Sequence, residues 1–416
     1  MTLSKGSVPS LKNANLNSRD IKMAGMLEGI RVLDVTRFVA GPAATVLLAD
    51  LGADVIRIEN PGGADDRTTL PFKEGFHGGV GFTQLGRNKR GVSIDLTSEK
   101  GRAVFDKLLE TADMVFANLP RKTANALGLD YDRMKAIKPD IIFVHMTTFG
   151  SEGPYADRLG FDAIAQVMSG LTHISGEPGK PMKHNSAWVD MSTGFLASYG
   201  ALAALHHRNK TGEGQKVETN LLQTAMSVGN YFLFDQFYND TCRVGTGNRA
   251  QSGGPADLIQ TKDGWVYMVA LGNSMFRRFM RMIGREELVD DPRFANDELR
   301  ADNGEALSEI VTEWALQYTN AEILPILEEN RIPAGPLLTP QQALDDPHVK
   351  EQFIVEVPID GLSRPAPYIK PPVTFSKTPG AIVKGPPKPG EDNDEVFTEA
   401  GFSAEEIAAL REEGVI

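Results

Sequence analysis

Ile30-Arg31-Val32-Leu33-Asp34-Val35 is an apolar run with the length and β-branching of a buried strand. Ala43 to Leu51 follows as a helix, with Pro42 near its start and Gly52 just past its end. Asp54-Val55-Ile56-Arg57-Ile58 is a second strand of the same kind. Strand, helix and strand within thirty residues make a β-α-β unit.

The pattern then repeats. Thr97 or Ser98 caps a helix running through Leu108, with apolar residues at Val104, Phe105, Leu108 and Leu109. Met114-Val115-Phe116 reads as a strand, Tyr131–Lys138 as a helix and Ile141-Ile142-Phe143-Val144 as a further strand. Serial β-α-β units predict an α/β fold, a Rossmann-like large domain whose parallel sheet carries helices on both faces. Ligands of such sheets bind beyond the carboxyl ends of the strands.

Past Leu222 the pattern changes. Met226–Tyr238 is apolar and aromatic, a glycine-rich loop follows, and Trp265–Leu271 reads as a strand. Helices are expected near 276–283, 306–315 and 321–329. We therefore expect a flexible extension over 1–23, a large domain over 24–224, a smaller α+β domain over 225–335, and a return to the large domain over 336–416. That return is rich in proline from Arg364-Pro365 to Lys388-Pro389, which suits a strap over another surface. A last helix is expected at Ala404–Glu413.

The chain has 416 residues and a net charge of −12, which argues against nucleic acid or an anionic membrane as partner. An acidic whole still leaves room for a local basic patch that binds a small anion. Cys242 is the one cysteine, so no intramolecular disulfide and no cysteine-based metal site is expected, and a cytoplasmic location fits. Asn239-Asp240-Thr241 matches a glycosylation sequon by chance. No apolar run approaches the ~20 residues of a membrane span. Residues 1–23 are polar and carry four basic side chains, a pattern of either a weak transit peptide or a plain extension.

Chemistry concentrates at Asp190 in Trp188-Val189-Asp190-Met191-Ser192-Thr193-Gly194. A helix rich in small residues follows, expected over 192–208, and runs out into Lys210-Thr211-Gly212-Glu213-Gly214-Gln215. The plain reading of Asp190 is a helix N-cap. Amide donors and the helix dipole would then keep its carboxylate ionised, as a nucleophile requires.

Several stretches occur together in order: Val39-Ala40-Gly41-Pro42, Leu51 to Glu59, Arg87-Asn88-Lys89-Arg90, Gly160-Phe161-Asp162 with Ser169-Gly170, then Asp190 and its helix. In this arrangement the chain, from Leu27 to about Gly380, resembles the family III CoA-transferases of the CaiB/BaiF type, which include formyl-CoA, carnitine and succinate enzymes. Gly229 to Asp235 looks most like the carnitine branch. The resemblance implies that Asp190 attacks an acyl-CoA, that an aspartyl–CoA thioester forms, and that a small carboxylic acid accepts the CoA. Coenzyme A is then a substrate, with no permanently bound cofactor and no metal. It also implies an interlocked homodimer.

The resemblance implies further site residues. Gly253 and Gly254, in Ser252-Gly253-Gly254-Pro255, would form a lid that excludes water from the reactive intermediates. Val39 and Ala40 would bring backbone close to CoA, and Asn118 and Leu119 would sit on the adenine side. Arg87, Asn88, Lys89 and Arg90 would contact phosphate; a solvated charge run is the plain alternative. Relatives often place basic residues in the segment matching 120–127, where this chain has Arg121 and Lys122 at shifted positions.

Other readings compete. Gly245 to Ala250 matches a dinucleotide fingerprint but follows a polar loop and not a strand. His206 and His207 are adjacent on a helix and point ~100° apart. No Gly-x-Ser-x-Gly elbow is present. An α-methylacyl-CoA racemase shares the resemblance and the aspartate, but needs a second acid/base group. Phe161 stands where racemases carry histidine, and His145 and His173 lie elsewhere in the pattern. A non-catalytic CoA-binding scaffold would not need Asp190.

Overall fold

The computed structural model describes residues 25–72, 76 and 78–416; the extension expected over 1–23 lies outside them. Two compact units emerge. The first holds the described residues up to Asp162 together with Ala187–Thr224 and Phe353–Ile416. The second holds Ala163–Ser186 and Ala225–Gln352. Residues 163–186 and 336–352, assigned from sequence to the large domain and to the return, thus belong to the second unit.

Six parallel strands form the sheet of the first unit. Their spatial order is Arg90–Ser93, Asp54–Glu59, Arg31–Asp34, Met114–Ala117, Ile142–Thr147 and Lys216–Asn220. Chain order therefore reverses between Arg31–Asp34 and Met114–Ala117, the switch point of a doubly wound sheet. The central strands are almost wholly buried, because helices cover both faces. On one face Val104, Phe105, Leu108, Met134, Phe397 and Ile407 pack over Leu33, Ile56 and Val115. On the other, Ala44, Leu48, Ala197, Ala201 and Ala204 pack over Val32, Val55 and Phe116.

Small residues set the spacing on that second face. Helices Ala40–Asp50 and Trp188–Thr211 meet so closely that a Cβ on Gly194 would stand 2.7 Å from the Ala40 carbonyl oxygen. Ser198 Oγ donates to the Ala44 carbonyl at 2.9 Å and ties the pair together. Gly212, left-handed at φ 78°, ends the long helix.

Two strands of this sheet carry weak sequence signals. Arg90–Ser93 is an edge strand, and the proline-rich return covers it. Pro387 lies where a Gly91 side chain would be, the Gly91 N–H donates to Asp392 Oδ2 at 2.6 Å, and the Ser93 N–H donates to Asn393 Oδ1 at 2.9 Å. The strap thus occupies ladder groups that an open edge would expose.

In the second unit, Ala334–Pro336, Trp265–Val269 and Ala256–Gln260 form an antiparallel sheet. Phe276, Phe279, Leu307, Val311, Ile323 and Leu327 from three helices close its core.

Candidate active site

The turns beyond the carboxyl ends of the strands surround a cavity of about 400 Å³ at the switch point. Arg37 to Ala40 follow the first strand, Asn60 and Gly63 to Asp66 follow the second, and Asn118 to Pro120 follow Met114–Ala117. Met146 to Phe149, the loop residues Ala156 and Arg158 to Phe161, Leu221 and Asp190 complete the wall.

The first loop is held in an unusual shape. Phe38 is left-handed at φ 63°, which a non-glycine residue adopts only when its surroundings hold it there. Asp66 Oδ2 accepts the Phe38 N–H at 2.9 Å. Asp66 is itself fixed by both oxygens on Arg57 Nη2, at 2.9 and 2.8 Å. Across the switch point, Asn118 accepts the Arg37 N–H and donates to the Arg37 carbonyl, each at 2.7 Å. The Asn118 side chain therefore clamps two loops, and Asn118 itself lines the cavity. Val39 and Ala40 are brought to the cavity with it, and so is Leu119.

Asp190 is half-buried in the first turn of Trp188–Thr211, but it is not the cap. The helix is capped from outside: the buried Asp162 accepts the Val189 and Asp190 N–H groups through Oδ2, at 2.9 and 3.0 Å. No hydrogen bond to the Asp190 carboxylate is made among the described residues. Burial, and after it the Asp162 carboxylate, push the Asp190 pKa up to about 7. The expectation that amides and dipole keep Asp190 ionised is thus corrected, since Asp162 takes those amides.

The basic run is corrected as well. Lys89 is fully buried and donates to Asp34 Oδ2 at 2.9 Å, to Thr45 Oγ1 at 2.8 Å and to the Pro42 carbonyl at 3.2 Å. Burial pushes the Asp34 carboxyl up, but Lys89 and Arg57 outweigh it and hold the group well below the usual carboxylate range. Arg87 pairs with Asp50 at 2.6 Å, and Asn88 donates to Asp50 at 2.8 Å and to the Ala381 carbonyl at 2.8 Å. Arg90 binds Asp54 at 2.6 Å and Glu399 at 2.9 Å. These four are internal braces; none lines the cavity.

Arg121 and Lys122 are exposed at the start of the helix Arg121–Ala126, directly after Pro120, and lie 3.5 and 3.1 Å from Asp157. Gly253 and Gly254 belong to the second unit and are buried there, where a Gly253 Cβ would press on Leu271 and Asp297. They are packed residues and not an exposed lid. His145 is buried, stacked on Phe143, with Nε2 on the Leu119 carbonyl at 2.8 Å. His173 lies in the second unit. Phe161 faces the cavity and meets Phe38 edge to face at 5.9 Å.

Two arginines of the wall escape sequence reading. Arg37 donates through Nη1 to the Thr36 and Ile58 carbonyls. Arg158 lies over the rings of Tyr155 at 4.5 Å and Phe149 at 5.6 Å. Their one sequence signal is position, directly after a strand and just before Gly160-Phe161-Asp162.

A doubly wound sheet, a cavity at its switch point and an unbonded carboxylate on the wall define a Rossmann-like domain built to act on a small ligand. The chain belongs to CoA-transferase family III, whose sequence model matches residues 27–393, and it is an enzyme of that family. It is 32% identical over 399 residues to the succinyl-CoA–D-citramalate CoA-transferase of Chloroflexus aurantiacus, covering 94% of this chain and 98% of that one. It is 33% identical over 382 residues to the succinate–glutarate CoA-transferase of Agrobacterium fabrum, covering 90% and 95%. Among solved structures, a CaiB/BaiF family protein from Brucella suis matches with a TM-score of 0.80 at 30% identity, covering 90% of this chain and 99% of that one. Among the described residues, no helix is long and apolar enough to cross a membrane.

Proposed function

We propose that the chain moves CoA from an acyl-CoA to a carboxylic acid through a thioester on Asp190. The observation that carries this is the Asp190 carboxylate on the wall of the switch-point cavity, free of hydrogen bonds among the described residues. Ionised Asp190 adds to the thioester carbonyl; the C–S bond breaks and leaves a mixed anhydride and CoA thiolate. The thiolate attacks the aspartyl carbonyl of the anhydride, which forms the aspartyl–CoA thioester and releases the first acid. The incoming carboxylate reverses the sequence: it attacks the thioester, expels the thiolate, and the thiolate takes the new acyl group. One thioester replaces another, so no other energy source enters.

The backbone of Val39, Ala40 and Leu119 borders the bound CoA in this reading, and Arg121 and Lys122 meet its phosphates at the rim. No step involves Gly253 or Gly254. The acids that the relatives' names carry, D-citramalate, succinate and glutarate, are dicarboxylic acids. Arg37 and Arg158 on the cavity wall support the same class here, one acceptor carboxylate reacting and the other paired with an arginine. Phe161 cannot carry a proton, which weighs against α-proton exchange. A cytoplasmic setting fits the single unpaired Cys242.

The test is an acceptor panel at a fixed acyl-CoA donor. Dicarboxylates of four to five carbons are expected to exceed monocarboxylates of equal length by at least about tenfold in kcat/KM. Equal rates would overturn the dicarboxylate assignment. Deuterium uptake at the α-carbon of a 2-methylacyl-CoA without CoA exchange would overturn the transferase.

A further inference from the structure

Asp162 acts on Asp190 by its charge yet does not line the cavity. It is buried, with 8% of its surface exposed, and reaches across from the start of another helix. Its Oδ2 receives the N–H groups of Val189 and of Asp190 itself, at 2.9 and 3.0 Å. These belong to the second and third residues of the helix, the groups that an N-cap side chain normally satisfies. The residue in the cap position, Ala187, has no side-chain acceptor to offer.

Resting on the reading of Asp190 as nucleophile, we propose that Asp162 is the positioning residue of the reaction: it caps the Asp190 helix from outside, so that the Asp190 carboxylate is left unbonded and turned to the cavity. Two carboxylates divide the work. Asp162 is committed to the backbone and fixes the first turn, while Asp190 on that turn stays available. Without Asp162, the bare amides of that turn would draw the Asp190 side chain back as a local cap. The charge of Asp162 also bears on Asp190. The cavity wall around Asp190 holds Arg37, Asp65, Asp66 and Arg158 as well, yet burial and Asp162 alone raise its proton affinity.

The two roles separate by substitution. Asp162→Asn keeps an oxygen acceptor for the two amides and removes the charge; Asp162→Ala removes both. The rate of CoA adduct formation on the protein is followed by intact-mass spectrometry against pH, with CoA affinity and melting temperature measured alongside. Asp162→Ala is expected to slow the adduct about a hundredfold with CoA affinity unchanged. Asp162→Asn is expected to stay within a few-fold of wild type at high pH and to move the acid limb of the rate profile to lower pH. The inference is overturned if Asp162→Ala forms the adduct at the wild-type rate, or if both variants lose the same rate with the limb unmoved. Should Asp162→Ala fail to fold, the limb of Asp162→Asn decides. Absence of any adduct on the wild type would instead remove the nucleophile reading itself.

Discussion

Asp190 unites a chemical demand with a folding penalty. A carboxylate half out of water, beside another carboxylate and without hydrogen bonds, is costly to ionise, and its pKa of about 7 measures that cost. Nucleophilic attack needs the ionised form, so the transfer rate is expected to fall as pH drops through about 7, with the limb visible in kcat/KM. The effect on stability has the opposite sense. The folded state holds this proton more tightly than the unfolded chain, so ionisation between the ordinary value of 3.8 and about 7 destabilises the fold, fully so above pH 7. Asp190→Asn never ionises. It is expected to be inactive and yet to melt above wild type at about pH 8, the gain vanishing near pH 4. Thermal melts across this range check it, and a variant that melts lower at pH 8 would count against the account. Asp190 was legible in the sequence as a carboxylate opening a small-residue helix, and Leu119 as the residue after an apolar strand, whereas Val39 and Ala40 came from the family resemblance. The role of Asp162 was not, because a cap supplied from 28 residues away leaves no local pattern.

At the scale of elements, the basic run 87–90 shows where sequence reading fails. Four polar residues in a row resemble a solvated or phosphate-binding patch, yet each meets a carboxylate distant in the chain, at Asp34, Asp50, Asp54 or Glu399. Lys89→Ala would leave Asp34 charged and unpaired inside the core, at a cost of about 3–5 kcal/mol. Denaturation should show this loss, whereas Arg121→Ala and Lys122→Ala should raise KM for acyl-CoA, in a salt-dependent way, with stability unchanged. Gly194 marks the closest approach of the two helices. Gly194→Ala puts a methyl 2.7 Å from the Ala40 carbonyl oxygen and 2.9 Å from Ala43 Cβ, and is expected to cost about 1–3 kcal/mol while displacing the loop before Ala40. A fall in both melting temperature and kcat/KM would bear this out. The apolar strands were legible because both their faces are buried. Arg90–Ser93 was not, since a single strand turn with glycine at its centre carries no periodic signal, and its glycine answers to Pro387 of the strap. Lys216–Asn220 alternates polar and β-branched residues at the opposite edge, where exposure removes the apolar run.

For the whole molecule, the second unit carries an exposed aromatic surface. No residue of the helix Asn230–Asn239 is buried, and Tyr231, Phe234, Phe237 and Tyr238 are 57–81% exposed. Of the segment 229–235, which resembles a carnitine-branch stretch, Tyr231 and Phe234 belong to this exposed face, while Gly229 is buried. An apolar face of this kind supports the homodimer implied by the family resemblance. Light scattering at working concentration is expected to give twice the chain mass; a monomer would exclude an interlocked pair. The first unit gathers its cavity from the ends of five strands and the first turn of a helix capped from outside. The most direct measurement is therefore intact-protein mass spectrometry after incubation with acyl-CoA donors, beside Asp190→Ala. A CoA-sized adduct on wild type that is absent from the variant and cleared by a dicarboxylic acid is the predicted result. An adduct that persists in Asp190→Ala, or CoA exchange that proceeds without Asp190, would contradict it.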